Sequence, residues 1–414
     1  MNVVSFLKHW GLRENPFRDE EALHDGVFAR LTGSGGGGGD AGVGGRGPEH
    51  PEFAKVLGDL SAPSSSVVFG EKGSGKTAIK LQLSRRVREH NEGHGTGRVF
   101  LVPYDDWNGM LDRWSARVGE DESLGSFALV DHMDGLLAVA VGGVCDELVR
   151  SPGRLDGAVR LTEGDVRALR RAPAETRHSM LLLAALYDRG GEAGDRTARV
   201  RRALRVSVGG GRWLWRGVLW FGWLPAALAA WALIAGGDGF TELFYWVVGG
   251  LAGLWVVGIL KVLVLDSWRV GRLAVRASRV LRVVPRDREG LGAGLGALPG
   301  SLLRGGSVPA DDHEEGRYAM LGRLRAVVGS MGYGSVLVVV DRVDEPALIR
   351  GDTERMREVV WPLLNSKFLQ QPGFALKMLL PAELRHELFR ESSGFFRSAR
   401  LDKQNLVERL SWTG

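Results

Sequence analysis

The sequence predicts an α/β fold, a parallel sheet flanked by helices and interrupted by a two-helix transmembrane hairpin. Three observations carry that expectation. Strand-like and helix-like runs alternate in the order strand, helix, strand, which favours parallel pairing. A glycine-rich loop, GEKGSGKT at 70–77, joins one such strand to one such helix. Farther on, two long runs carry no charged residue, Gly217 to Ala235 and Leu243 to Leu260.

At 414 residues the chain exceeds the usual size of a domain, yet one α/β domain carrying an insertion accounts for that length. With 44% hydrophobic and 25% charged residues the composition is that of a folded protein. A net charge of +5 would suit nucleic acid, but the basic residues are mostly Arg and crowd beside the apolar runs. Position therefore favours a membrane surface and makes a nucleic-acid partner unlikely. Cys145 is the only cysteine, so an intramolecular disulfide or a cysteine-based zinc site is excluded, and a reducing compartment fits.

Residues 1–49 read as an N-terminal segment. Its opening, MNVVSFLKHWGLRENPF, carries charges and a proline too early for the apolar core of a secretory signal. The run GSGGGGGDAGVGGRGP at 33–48 buries too little apolar surface to offset its ordering entropy, so a flexible surface loop is expected. Residues 50–205 open with the helical pattern HPEFAKVLGDL, followed by a β-prone run from Ser64 to Phe69. After the glycine loop, TAIKLQLSRRVREH has helical spacing and ends near Gly93 and Gly95. RVFLVPY at 98–104 is a second strand, followed by the acidic turn DDWN and by helical segments around DGLLAVAVGGVCDELV and SMLLLAALYDR.

Residues 206–272 are expected to form the hairpin. Each charge-free run is about as long as the roughly 20 residues that cross a hydrocarbon core. The connector GGDGFTE is short, and Trp213, Trp215, Phe240, Tyr245 and Trp268 lie near the ends, where amphipathic rings favour the interface. Arg196, Arg199, Arg201, Arg202, Arg205, Arg212 and Arg216 precede the first run, and Lys261, Arg269, Arg272 and Arg276 follow the second. Both flanks are therefore expected on the cytoplasmic side, against anionic headgroups. Gly222, Ala226 and Ala230, and separately Gly249 and Gly253, recur every four residues and permit close helix packing within the hairpin or between copies. Residues 273–315 read as a linker.

The loop at 70–77 fits G-x-x-x-x-G-K-[ST] in full. Glycines let backbone N–H groups converge on phosphates, and the following helix N-terminus adds favourable potential. The expected nucleotide contacts are Gly70, Glu71, Lys72, Gly73, Ser74, Gly75, Lys76, Thr77 and Ala78. Lys76 would neutralise the β and γ phosphates, and the Thr77 hydroxyl would ligate Mg²⁺. No guanine-reading N/T-K-x-D motif appears, which favours ATP.

A magnesium-binding acid belongs at the end of a buried parallel strand, which reads as a continuous apolar run. SVLVVVDRVDEP at 335–346 fits, with Val336 to Val340 as strand and Asp341 as the Mg²⁺ ligand, whereas RVFLVPYDD is less continuous. Asp344 and Glu345 are the candidates to polarise water. FALKMLLP at 374–381 is a further β-prone run, expected between these two strands of the site. Arg397 and Arg400 are candidates to reach a neighbouring subunit's phosphate, with a surface role as the simpler reading. His90, Glu92 and His94, and the acidic run at 311–315, read as a fraying helix end and a solvated turn.

These motifs resemble those of P-loop ATPases of the additional-strand type. GLRENPF, HPEF and GEKGSGKT look like AAA+ ATPases of the ExeA and origin-recognition type. VVVDRVDE and membrane spans between the two acidic and glycine motifs look like KAP NTPases. In both families an acid directly follows the magnesium-binding aspartate, whereas this chain has Arg342; Asp344 matches the later acid of the KAP pattern and takes the water-activating role, with Glu345 as substitute. The resemblance implies that 316–414 completes the nucleotide domain and stops before a helical lid. It further implies a multi-pass ATPase of the cell membrane, cytoplasmic at both termini and able to form a homo-oligomer. The competing expectation is a scaffold that binds ATP without hydrolysing it, favoured by Arg342.

Overall fold

The computed structural model describes residues 50–119, 123–149, 161–189, 193–207, 242–260, 266–300, 313–399 and 405–410, with isolated positions between them. The flexible loop expected at 33–48, Arg400 and most of the first apolar run lie outside the described residues.

Five parallel strands form one sheet in the order β2-β3-β4-β1-β5. They are β1 (Ser66–Gly70), β2 (Arg98–Tyr104), β3 (Tyr333–Val340), β4 (Phe374–Pro381) and β5 (Asn405–Leu410). Two pairings fix how the strand ends line up: Gly70 stands opposite Pro381, and Tyr104 opposite Val340. β4 therefore separates the strand before the glycine loop from the strand before Asp341. Every residue of β4 is buried, as expected of a strand covered on both faces.

The helices follow in chain order as α1 (Phe53–Leu57), α2 (Lys76–Gly93), α3 (Asn108–Val118), α4 (Leu129–Val149), α5 (Glu163–Arg171), α6 (Ala174–Tyr187) and α7 (Ala193–Ala203). Alternation along β3 sends Leu337 and Val339 to one side of the sheet, against Phe53 of α1 and Ile79, Leu83 and Val87 of α2. Val336, Val338 and Val340 face the other side, in a larger core with Met133 and Leu137 of α4 and Leu183 of α6.

The second apolar run forms α8 (Glu242–Ile259), in which Trp246 is 79% exposed and Leu254, Val256 and Val257 are also exposed. Among the described residues no helix is long and apolar enough to cross a membrane. The expected pair of spanning helices is thus absent from the described part of the chain. α9 (Asp266–Val280) follows, with Trp268, Arg269, Arg272, Arg276 and Arg279 exposed and Ala274 and Ala277 buried.

Of the stretch expected to be a linker, 273–315, the described residues 273–300 are packed rather than extended. They supply the end of α9, α10 (Arg288–Gly296) and buried Leu281, Val283, Val284 and Leu291. Arg286 is fully buried, donating to Ala185 O at 2.8 Å, Asp188 O at 3.1 Å and Thr197 Oγ1 at 3.1 Å. A buried guanidinium is tolerated because each of its nitrogens finds an acceptor and Asp188 Oδ2 stands 3.8 Å away as counter-charge. The returning chain is in this way fixed to α6 and α7. Farther on lie α11 (Glu314–Ser330), α12 (Thr353–Val360), α13 (Ser366–Leu369), α14 (Ala382–Arg390) and α15 (Ser393–Ala399).

Candidate functional site

The site lies where the C-terminal ends of β2, β3, β4 and β1 meet the start of α2, the end of a parallel sheet at which ligands bind. Gly75 precedes α2 with φ 92°, a left-handed conformation that a side chain resists. At Gly70 a Cβ would crowd the Ser74 hydroxyl and stand 3.2 Å from Lys76 Cγ and 3.3 Å from Leu410 Cβ, so the loop is tightly closed at this position. No side chain caps α2, so its first amides have no side-chain acceptor. A bare helix N-terminus favours an anion.

Lys76 is the first residue of α2, and its ammonium donates to Gly70 O at 2.8 Å and Glu71 O at 2.9 Å. Burial lowers its pKa, while the charges of Asp344, Asp341 and Glu383 act in the opposite direction. Those three carboxylates therefore share the field of the loop lysine, although they come from two separate strand ends. Thr77 and Ala78 sit half-buried in the same turn, and Glu71, Lys72 and Gly73 form the exposed rim. Ser74 keeps a buried hydroxyl without a hydrogen-bond partner.

Asp341 follows β3 and is buried. Burial raises its pKa, with the charge of Lys80 as the main opposing influence. Its Oδ2 accepts no hydrogen bond, whereas its main-chain carbonyl accepts from Trp107 Nε1 at 2.8 Å. Lys80 forms an ion pair with Asp105, just beyond β2, and lies 3.7 Å from Asp341 Oδ2. Arg342 adopts φ 58° and places its guanidinium 3.6 Å from Glu345 Oε2. Glu345 is exposed and lines, with Asp105, Asp106, Trp107, Asn108, Arg342 and Pro346, an open cleft of about 250 Å³. Asp344 and Glu345 thus differ in surroundings: the charge of Asp344 is felt at Lys76, and Glu345 pairs with Arg342 at the cleft.

Four residues of this site were not singled out by sequence reading. Lys80 reads as an ordinary helix-surface lysine, one turn after Lys76. Asp105 belongs to the strand that competed with 335–346, and the register of β2 on β3 makes the two strand ends neighbours. Glu383 follows β4 by two residues, and only the strand order reveals its proximity to the loop. Arg409 of β5 pairs with Glu71 Oε1 at 3.2 Å and ties the edge strand to the loop. Arg397 is exposed on α15.

A mechanical connection leaves the site through α3. Its first residue, Asn108, accepts from Ala347 N at 2.9 Å. Farther along, Arg113 donates to Val283 O at 2.8 Å, and Arg117 donates to the carbonyls of Leu281, Val284 and Arg286. One short helix therefore joins the end of β3 to the chain returning from α8 and α9.

The imidazoles of His90 and His94 stack at 4.1 Å, and among the described residues no group of three metal-ligating side chains forms. No protein-family model, curated protein or solved structure matches this chain.

Proposed function

We propose that the protein is a membrane-anchored ATPase of the P-loop class that couples nucleotide state to its membrane segment. The observation that carries this reading is the convergence of Lys76, Asp341 and Asp344 at the C-terminal edge of a parallel sheet whose β4 runs between β1 and β3. The left-handed Gly75 and uncapped α2 support an anion at the loop. An adenine nucleotide is the reading of the loop that the missing guanine motif favours.

A site for Mg²⁺ fits these residues, because Asp341 offers a buried oxygen that accepts no hydrogen bond. Thr77 and Asp341 would hold the ion, which when bound supplies charge neutralisation at the phosphate oxygens. Lys76 exchanges its two loop carbonyls for phosphate oxygens. Asp344 takes the proton of the attacking water as its oxygen bonds to the γ-phosphorus and the bond to the β–γ bridging oxygen breaks, leaving ADP and phosphate. Residues 217–260 anchor the chain, and the exposed Trp220, Phe221, Trp231, Trp246, Leu254 and Val257 support a lipid-facing surface. The exposed arginines of α9 support contact with anionic headgroups.

One observation favours a second reading, an ATP-binding membrane scaffold without turnover. Arg342 stands where an acid would follow Asp341, and it is paired with Glu345. Phosphate release from detergent-purified protein separates the two. ATPase function requires turnover that Lys76→Ala and Asp344→Ala abolish; ATP binding without turnover above the Lys76→Ala level leaves the scaffold.

A further inference from the structure

Lys80 stands one helical turn beyond Lys76 on α2, and its ammonium meets carboxylates from two strand ends. It is paired with Asp105 and lies 3.7 Å from Asp341 Oδ2. That distance exceeds hydrogen-bond range, and Oδ2 has no other donor, although Asp341 is only 2% exposed. A buried carboxylate oxygen in that state needs a cation to serve it. Lys80 serves it by charge alone while remaining attached to Asp105.

We propose that Lys80 is the resident counter-ion of the divalent-cation position, which consequently refuses a bare divalent cation and accepts one only together with a triphosphate. This rests on the nucleotide-binding reading of the same loop. The ammonium offsets one of the two carboxylates and repels an incoming dication, so Asp105 and Asp341 together cannot strip its hydration shell. A triphosphate contributes the missing negative charge and further oxygen ligands. Asp105 has a distinct part, holding Lys80 back so that Asp341 Oδ2 stays open. Lys80 and Asp105 are therefore positioning residues, acting on the cation through Asp341.

The probe is Mn²⁺, titrated into the full-length protein in detergent and read by the electron paramagnetic resonance of the free ion, with and without a non-hydrolysable ATP analogue. Wild-type protein is expected to bind Mn²⁺ only with the analogue present. Lys80→Met is expected to bind Mn²⁺ without nucleotide, at least tenfold more tightly than wild type. Asp105→Asn releases Lys80 toward Asp341 and is expected to weaken Mn²⁺ binding at least tenfold in the presence of the analogue. Lys80→Arg keeps the charge and should behave as wild type. If Lys80→Met fails to fold, the opposite-signed Asp105→Asn result carries the test alone.

Tight Mn²⁺ binding by wild type without nucleotide, or affinities unchanged in both variants, overturns the proposal. Binding of a fluorescent ATP analogue in EDTA is scored separately. Its absence from wild type overturns the nucleotide reading itself, whereas its presence beside unchanged Mn²⁺ affinities overturns only the role of Lys80.

Discussion

Trp107 donates its indole N–H to the main-chain carbonyl of Asp341 at 2.8 Å, so the residue that follows β3 is held by the residue that precedes α3. The same helix grips the carbonyls of 281–286 through Arg113 and Arg117. Trp107→Phe keeps an aromatic ring and removes the donor, leaving a buried carbonyl unpaired at a cost of about 1–3 kcal/mol. Chemical denaturation should show that loss. Hydrogen exchange should show a second effect: in wild type, an ATP analogue changes protection at 281–286, and in Trp107→Phe that change is lost. Equal nucleotide responses in both proteins would remove α3 as the connection.

Asp344 and Glu345 are adjacent in sequence but differ in surroundings. Asp344→Asn should leave ATP binding intact and lower turnover by about 10²-fold or more, the usual contribution of a general base. Glu345→Gln should leave turnover near wild type, since Glu345 engages Arg342 instead of the loop lysine. Steady-state phosphate release decides between them, and the reverse pattern would transfer the base to Glu345.

Lys377 lies in the middle of β4 with 0% exposure and no hydrogen-bond partner for its ammonium, and burial lowers its pKa from 10.5 to about 8. The unfolded chain binds more protons between those values, so stability rises with pH from about 8 to 10.5, and the penalty is full below 8. Lys377→Met should therefore stabilise the protein at pH 7 by up to about 3 kcal/mol. That gain should vanish as the pH approaches 10.5. Denaturant midpoints for both proteins across this range check the slope, and a pH-independent difference would show that burial does not lower the pKa of Lys377.

The exposed apolar side chains of α8 lead to a fractionation result. Cell membranes washed with alkaline carbonate should retain the protein and release it only with detergent, because Trp246, Leu254 and Val257 are exposed. Release by carbonate alone would mark a peripheral or soluble protein.

Much of the sheet was legible because its signals are local. The glycine loop fixes where β1 gives way to α2, and unbroken apolar runs mark β3 and β4. β5 escaped notice because NLVERL carries Glu408 and Arg409, the charges common on an edge strand; among its described side chains Val407 and Leu410 are buried. The packed 273–300 stretch read as a linker because its buried residues, Leu281, Val283, Val284 and Arg286, are too closely spaced to set a period. Lys80, Asp105 and Glu383 acquire meaning only through parallel register, a relation between residues far apart in the chain. Sequence therefore located the glycine loop and the acid that follows β3, while the charges around them required the strand order.

The most direct measurement is the affinity of a fluorescent ATP analogue for detergent-purified full-length protein, compared with Lys76→Ala. Wild-type protein should bind it, and Lys76→Ala should bind at least about tenfold more weakly, as expected for loss of a charge-assisted contact worth roughly 1.5–3 kcal/mol. Equal affinities, or no binding by wild type, would contradict a nucleotide site at Gly70 to Ala78.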